Sequence, residues 1–194
     1  MYNKDMTEAA DLDFDESVER RQPLRFEGEN GLIVNELQID DAEELFRFFN
    51  ENRDFFSGRM PQLKKIQTLH DVLLMVRNPK FSTFGIRLPE SDELAGLVTV
   101  EQEADDRVSI GYGVAEKYRR QGLTSNAVKT LSYAYLQIPA INTVRAYVAL
   151  DNIPSRRLLE RCGFHYQGER PHVNVFYDLD KEDYLASLQT SGQE

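Results

Sequence analysis

The sequence predicts a mixed α/β (α+β) domain, with a central sheet of about six to seven strands and about four flanking helices. Several short segments, such as 32–37 and 142–150, alternate apolar and polar residues with the two-residue period of half-buried strands. Between Ala127 and Tyr135, apolar residues recur instead at helical spacing. Thr68 and Asp71 have the three-residue spacing of a helix capping box. Strand and helix patterns therefore share one chain.

The predicted elements follow one another in the order strand, two helices, three strands, helix, strand, helix and two strands. Strands are predicted over residues 32–37, 81–88, 94–101, 107–114, 142–150, 165–169 and 173–179. Helices are predicted to begin near Asp40, Thr68, Thr124 and Asn152. The segment 52–65 has no clear period, which predicts an irregular connection between the first two helices.

The length of 194 residues and a hydrophobic content of 41% predict a single domain with one sizeable core. We expect this domain to span residues 23–187, between an acidic flexible extension at 1–22 and a polar tail at 188–194. The net charge of -10 disfavours nucleic acid as a partner, because phosphates would be repelled. The same charge favours cationic amine partners, although an acidic surface also serves solubility alone.

No apolar run is long enough to cross a bilayer, and no signal-type stretch stands near residue 1, so we expect a cytoplasmic protein with no membrane partner. The single cysteine, Cys162, excludes an intrachain disulfide and fits a reducing compartment. It precedes Gly163 on a predicted helix, where a buried structural thiol is expected. His70, His165 and His172 have no metal-ligand spacing, so no metal site is predicted.

A short basic turn at residues 118–125 joins an apolar strand to a helix pattern. Free backbone N–H groups and the positive end of a helix meet at such a turn and favour an anion. Gly122 lets the backbone approach the anion without a Cβ, while Arg119 and Arg120 add positive charge. The turn is therefore a candidate pyrophosphate site, although ordinary strand-to-helix connections have the same pattern.

The turn resembles the phosphate loop of the GCN5-related N-acetyltransferase (GNAT) superfamily, whose members bind acetyl-CoA. The loop pattern of that family is Arg/Gln-x-x-Gly-x-Gly/Ala, and this chain has Arg119-x-x-Gly122-x-Thr124. The preceding run, residues 110–114, is similar to the strand before the loop in the branch of ribosomal-protein serine and alanine N-terminal acetyltransferases. Thr124 departs from the pattern, because it adds a β-branched side chain where the backbone approaches the anion.

A second motif follows one helix and one strand later. The family signature Asn-x-x-Ser/Ala, before a helix that ends in Gly-Phe, is matched by Asn152, Ser155 and the pair Gly163-Phe164. The resemblance extends over residues 32–180 in the order of elements, and it implies the GNAT fold with its sheet topology. Because both motifs occur in the family's order, they form a more specific signal than either motif alone.

The resemblance implies a set of residues that bind acetyl-CoA as co-substrate. Backbone groups of Tyr112, Gly113 and Val114 would pair with the pantetheine arm and polarise the thioester carbonyl. Asn152 would hydrogen-bond the arm from the other side, and its alternative role is to cap the following helix. The residues implied to hold the pyrophosphate are Arg119, Arg120, Gln121, Gly122, Leu123, Thr124 and Ser125.

Many family members carry a tyrosine seven residues after the motif asparagine, where it protonates the departing thiolate. Leu159 occupies this position here, so Ser155 becomes the candidate acid, with a hydroxyl bonded to the helix backbone as the alternative. Glu101 ends an apolar strand and is the candidate base, expected at the rim of a cleft, with a solvent-facing strand end as the alternative. Glu103 and Glu169 are weaker candidates for the base.

In resembling proteins, the connection between the first two helices forms a wall of the acceptor pocket. Phe55 and Phe56 are therefore candidate acceptor-binding residues, although adjacent aromatic residues in a loop also serve as core plugs. Gly113 stands where tryptophan is frequent in the ribosomal-protein branch, and this difference predicts a wider acceptor channel.

Together these features predict an acetyl-CoA-dependent N-acetyltransferase that acts by direct attack of an amine in a ternary complex. A protein N-terminus is the favoured acceptor, and a small amine such as a polyamine or an aminoglycoside is the alternative. A CoA-binding module without turnover is a second alternative, because the usual tyrosine is absent. We expect a monomer or a homodimer.

Overall fold

The fold confirms the predicted mixed α/β class. A computed structural model of the chain describes residues 22–54, 56, 65–170 and 174–191. Within these residues, eight strands form one mixed sheet and five α-helices flank it. The sheet is thus slightly larger than the six to seven strands predicted from the sequence.

The bounds of the elements agree closely with the predicted order. The strands are β1 (Arg25–Glu27), β2 (Ile33–Glu36), β3 (Phe81–Arg87), β4 (Leu94–Ala104), β5 (Arg107–Val114), β6 (Thr143–Ala149), β7 (His165–Arg170) and β8 (Asn174–Asp180). The helices are α1 (Ala42–Glu51), α2 (Leu69–Val76), α3 (Leu123–Leu136), α4 (Ile153–Arg161) and α5 (Lys181–Ser191). Short 3₁₀ turns occupy Glu29–Gly31, Ile39–Asp41 and Glu116–Tyr118.

The strands are arranged in the order β1-β2-β3-β4-β5-β6-β8-β7. Neighbouring strands of the described sheet are antiparallel except for β5 and β6, which are parallel. A parallel pair needs a crossover connection, and α3 supplies it between β5 and β6. This crossover contains the phosphate-type turn, so the topology places the turn at the end of the parallel pair.

Two elements of the fold have no counterpart in the prediction. Strand β1 has three residues, too few to show a period, and its start is held where the Leu24 N–H donates to the Glu36 carboxylate at 3.2 Å. Helix α5 has a weak apolar stripe, with Tyr184 buried among exposed neighbours. It runs as far as Ser191, into the segment 188–194 predicted as a polar tail.

One predicted helix start is confirmed and another is displaced. Thr68 accepts the N–H of Asp71 at 3.2 Å, and the Asp71 carboxylate accepts the N–H of Thr68 at 2.8 Å, which forms the predicted capping box of α2. Before α1 the prediction of Asp40 as the cap is wrong, because a 3₁₀ turn begins earlier. There the Gln38 N–H donates to the Asp41 carboxylate at 2.7 Å.

Apolar clusters cover both sides of the sheet. The larger cluster lies between the sheet and helices α3, α4 and α5, and it includes the fully buried Leu131 and Leu159. The smaller cluster lies under α1 and α2 and includes Leu45, Phe56 and Leu97. Burying one such side chain contributes roughly 1.5–3 kcal/mol, so these contacts are what hold the helices to the sheet.

Candidate active site

The parallel strands β5 and β6 separate part of the way along their length. Their pairing runs from Arg107↔Thr143 to Ile110↔Ala146 and ends there. Beyond this point Gly111–Val114 pair only with β4, and Tyr147–Ala149 pair only with β8, among the strands that the structure describes. We call this opening the splay. Its two edges carry backbone groups without a sheet partner, and such groups need a hydrogen-bonding ligand or water.

The two sides of the sheet differ at the splay. Alternate residues of a strand point to opposite faces, and Val108, Ile110 and Tyr112 of β5 pack towards α3 and α4. We call the other side the opposite face; near the splay it carries Glu101, Arg145, Tyr147, Phe176 and Asp178. The splay therefore connects a helix-covered side of the sheet with a second surface.

The turn before α3 has the backbone conformation of an anion-binding site. Gly122 precedes the first helical residue with φ +80°, and Arg120 has φ +60°, a left-handed conformation that is rare for a side chain of its size. Turns that contain such left-handed residues can point several N–H groups towards one anion. The first-turn N–H groups of α3 have no acceptor inside the helix, and none is found for them within the described part of the chain.

The space around Gly122 fits a pyrophosphate. A Cβ added to Gly122 would have no atom of the described structure within 4 Å, so the backbone is open to a ligand at this point. A cavity of about 340 Å³ adjoins the turn and is lined by Gly122, Ser125, Lys129 and Asn30, among others. The sequence prediction of a phosphate site at residues 119–125 is thus consistent with the geometry, in which Thr124 lies half-buried in the first turn.

Asn126, which sequence reasoning missed, fixes the position of α3. Its side chain accepts the Glu29 N–H at 3.0 Å and donates to the Glu29 carbonyl at 2.7 Å. A Cβ on Gly28 would lie 2.4 Å from the Asn126 Oδ1 atom, so only glycine allows this approach. The reciprocal pair holds the start of α3 against the β1–β2 connection. No local sequence signal identifies it, because the partners are 97 positions apart.

The start of α4 lies beside β5. Asn152 caps the helix by accepting the Ser155 N–H at 3.4 Å, and the Tyr112 hydroxyl donates to the Ser155 carbonyl at 3.4 Å. Burial raises the pKa of Tyr112, and a hydrogen bond to Ser155 opposes this shift in part. The Tyr112 hydroxyl therefore lies against the first turn of α4. Leu159, at the usual tyrosine position, is fully buried in the core.

The candidates for the general base all lie at the surface of the sheet. Glu101 pairs with Ser109, one position before the pairing of β5 and β6 ends, and its side chain is exposed. The burial expected for Glu101 at the rim of a cleft is therefore not found among the described residues, and its exposure matches the alternative of a solvent-facing strand end. Glu103 forms an ion pair with Arg107 at 3.2 Å, and Glu169 is exposed on β7.

Phe56 is in the core rather than at a surface. It is 2% exposed and packs against Phe48 and Phe49 with ring centres 5.5 and 6.4 Å away. A Cβ on Gly113 would lie 2.3 Å from the Phe56 ring, so the ring fills the place of a side chain at Gly113. The expectation that Gly113 widens the acceptor channel is thus wrong on the face of the sheet where the Phe56 ring lies. Phe55 lies outside the described residues.

Metal ligands and membrane spans are both missing from the described residues. In the parts of the chain that the structure describes, no group of three or more His, Cys, Asp or Glu side chains is placed to hold a metal ion. None of the described helices combines the length and apolar character that a bilayer crossing requires.

Comparison with known proteins assigns the family. Residues 32–165 match the acetyltransferase (GNAT) domain family. The chain is 29% identical over 179 residues to the "Probable N-acetyltransferase YjcK" of Bacillus subtilis (strain 168), covering 84% of this chain and 97% of the relative. The chain belongs to the GNAT acetyltransferase family, and it is therefore an N-acetyltransferase with acetyl-CoA as its co-substrate.

Solved structures with the same fold differ in the acceptors that they are named for. The ribosomal L7/L12 alpha-N-protein acetyltransferase RimL, in complex with CoA, has a TM-score of 0.71 at 15% identity, over 81% of this chain and 98% of that one. The aminoglycoside acetyltransferase AAC(6')-Ib, in complex with CoA, has a TM-score of 0.67 at 16% identity, over 79% and 97%. At these identities the likeness shows the fold alone.

Proposed function

We propose that this enzyme transfers the acetyl group of acetyl-CoA to a primary amine, with a protein N-terminus as the favoured acceptor. The observation that carries the proposal is the splay of β5 and β6, next to the left-handed turn at Gly122. The free strand edges of the splay can bind the extended pantetheine arm, and the turn at Gly122 can bind an anion. Direct attack of the amine in a ternary complex follows, because both substrates would meet at the splay.

On the donor side, the chain contributes mostly backbone groups. The N–H groups from Arg120 to Ser125 would hold the pyrophosphate, and the unpaired edge of Tyr112, Gly113 and Val114 would hold the pantetheine arm. The Asn152 side chain would hydrogen-bond the arm from the side of α4. When bound, acetyl-CoA supplies the acetyl group as a thioester. Backbone donors near the thioester carbonyl would stabilise the charge that develops on its oxygen.

Two proton movements complete the reaction. The Ser155 hydroxyl, at the first turn of α4, would give a proton to the sulfur of the leaving group. On the acceptor side, Glu101 would receive a proton from the amine, directly or through water. A base contributes little for a peptide N-terminus, because an α-amine with a pKa of roughly 7.7–8.0 is about one-tenth neutral at pH 7. The exposed position of Glu101 fits such a minor role.

The opposite face supports a peptide end as the acceptor. Ala149, Asn174 and Arg170 are exposed there, while Tyr147 and Phe176 are half-buried. A partly exposed surface with aromatic rings suits an extended peptide better than a small molecule that binds in an enclosed pocket. Phe55 remains a candidate for the wall of this site, whereas Phe56, which is buried in the core, would shape the site only from behind Gly113.

An acceptor panel with detection of the released thiol tests the proposal. Peptides with a free α-amine, the same peptides with a blocked N-terminus and an internal lysine, polyamines and aminoglycosides would be compared. We expect the highest kcat/KM for free α-amines and near-background rates for blocked peptides. A higher kcat/KM for polyamines or aminoglycosides would reject the peptide assignment and leave the acetyltransferase assignment intact.

A further inference from the structure

An aromatic and arginine cluster covers part of the opposite face beside the splay. The Phe176 ring contacts two guanidinium groups, with the Arg145 carbon 4.6 Å and the Arg170 carbon 5.8 Å from the ring centre. The Arg170 guanidinium also lies over the Tyr147 ring, 4.5 Å from its centre. Phe176 and Tyr147 each have a guanidinium group over the ring, and such stacking restricts the orientation of the guanidinium plane.

The two arginines of the cluster differ in how their charge is balanced. Arg145 donates from Nε and from a terminal nitrogen to the two carboxylate oxygens of Asp178, at 2.7 and 2.6 Å. This pair is largely shielded from solvent, so the charge of Arg145 is balanced by Asp178. Arg170 is exposed, and no carboxylate among the residues that the structure describes forms an ion pair with it.

Register places Arg170 at the acceptor side of the splay. Tyr147 is the first residue of β6 after Ala146, where the pairing with β5 ends, and Phe176 pairs with Tyr147 on β8. Arg170 pairs with Asn174, which in turn pairs with Ala149 at the far end of β6. The Arg170 guanidinium therefore lies above the β6 edge of the splay, on the face of the sheet that α3 and α4 do not cover.

We propose that Arg170, held flat by Tyr147 and Phe176, binds a carboxylate on the amine acceptor. This inference rests on the proposed function and names the chemistry of its acceptor. A planar guanidinium with unused donors forms paired hydrogen bonds with a carboxylate. The acceptor is thus an amine that also carries an acid group. In a peptide, successive residues advance by roughly 3.4 Å, so an acidic side chain at position two or three has the necessary reach.

Matched pairs of acceptors test the inference in the full-length enzyme. Each pair differs by one acid group: peptides with Asp or Asn at positions two, three or four, and small amines with a carboxylate or its amide. We expect kcat/KM to favour the acidic member by about 5- to 10-fold at low salt, with the preference falling as salt is added. The ratio within a pair is independent of the fraction of active enzyme.

Variants of Arg170 identify the group responsible. Arg170→Gln should reduce the acidic-to-amide ratio to about one, and Arg170→Lys should give an intermediate ratio, because the charge remains but the planar fork is lost. Arg161→Gln removes one exposed arginine of α4 and should keep the wild-type ratio.

Each result of these measurements either supports or overturns the proposed role of Arg170. Turnover without preference in the wild type, or a preference that survives in Arg170→Gln, would overturn this inference and leave the proposed function standing. Turnover of neither member of any pair would overturn both proposals together.

Discussion

At the scale of single residues, Leu159 stands where many relatives carry a tyrosine, so our proposal assigns the acid function to Ser155. Leu159 is fully buried and contributes to the core, so it cannot reach the splay. Two hydroxyl-bearing residues meet at the first turn of α4, where Ser155 lies on the helix and the Tyr112 hydroxyl donates to the Ser155 carbonyl. The neighbouring strand thus brings a second hydroxyl close to the start of the motif helix.

Replacing Ser155 tests its role as the acid. We expect Ser155→Ala to lower kcat by about 10- to 100-fold with a small change in the KM for acetyl-CoA, because a thiolate already leaves fairly well. Single-turnover kinetics under conditions where chemistry is rate-limiting would measure this. Ser187→Ala is the control, since Ser187 is also a helix serine that donates to a backbone carbonyl, that of Tyr184 at 2.7 Å. An unchanged kcat in Ser155→Ala would contradict the assignment.

Cys162 should make stability depend on alkaline pH. Burial raises the pKa of its thiol from 9.0 to about 11 in the folded protein. Between these values the unfolded chain releases a proton that the folded chain keeps, so the free energy of unfolding should fall as pH rises from about 9 to 11. Urea titrations of wild type and Cys162→Ala should therefore converge across this window. Curves that stay parallel would show that the thiol does not contribute.

At the scale of elements, the start of α3 combines a left-handed backbone with the proposed pyrophosphate site. Gly122 and Arg120 both adopt positive φ, and Asn126 ties the first turn of α3 to Glu29. A left-handed arginine is unfavourable by itself, and such strain is concentrated at functional sites. If the turn binds the pyrophosphate as proposed, the contacts of Asn126 would hold it in that conformation without the ligand.

Substitutions at Gly122 should separate strain from ligand contact. Gly122→Val forces a β-branched residue to φ +80° and should cost about 1–2 kcal/mol of stability. Gly122→Asn tolerates this conformation better. Both should weaken acetyl-CoA binding at least tenfold by calorimetry, because both side chains enter the space open to the pyrophosphate.

A donor without the nucleotide provides the control for Gly122. Acetylated pantetheine lacks the pyrophosphate, so its affinity should be much lower than that of acetyl-CoA and nearly unchanged by either substitution. Equal affinity of the wild type for the two donors would reject the phosphate site at this turn.

At the scale of the whole molecule, an acidic chain carries a group of arginines next to the proposed acceptor site. The chain has a net charge of -10, while the opposite face carries Arg145, Arg170 and Arg107. Two of these three arginines are paired with carboxylates at the sites described above. Long-range attraction of an amine and local recognition of an acid group can therefore coexist.

Salt dependence and Glu101 test the long-range effect. For a cationic acceptor without an acid group, kcat/KM should fall with added salt, as screening removes the attraction of the acidic surface. Glu101→Gln should move the pH–rate profile to higher pH, because the amine must then lose its proton unaided. Glu51→Gln removes the same charge from exposed α1 and should leave the profile in place. A flat salt response with an unmoved profile would reject both expectations.

Local patterns were sufficient to predict much of this protein. The apolar runs of β2 to β6, the capping box of Thr68 and both family motifs depend on residues close together in the chain. For that reason the fold class, the order of the main elements and the acetyl-CoA assignment could be predicted from the sequence. Strand β1 and helix α5 could not be predicted, because three residues and a weak apolar stripe leave no periodic signal.

The amino-acid sequence by itself determined the family and the phosphate-type turn, whereas only the tertiary structure decided what surrounds the reacting groups. The Phe56 ring fills the place beside Gly113, the Tyr112 hydroxyl reaches Ser155 across 43 positions, and Arg170 stacks on Tyr147. Exposure of Glu101 is likewise a property of the assembled sheet. The physical reason is the same in each case. These contacts join residues that are distant in the chain, and packing of the whole sheet, rather than local propensity, brings them together.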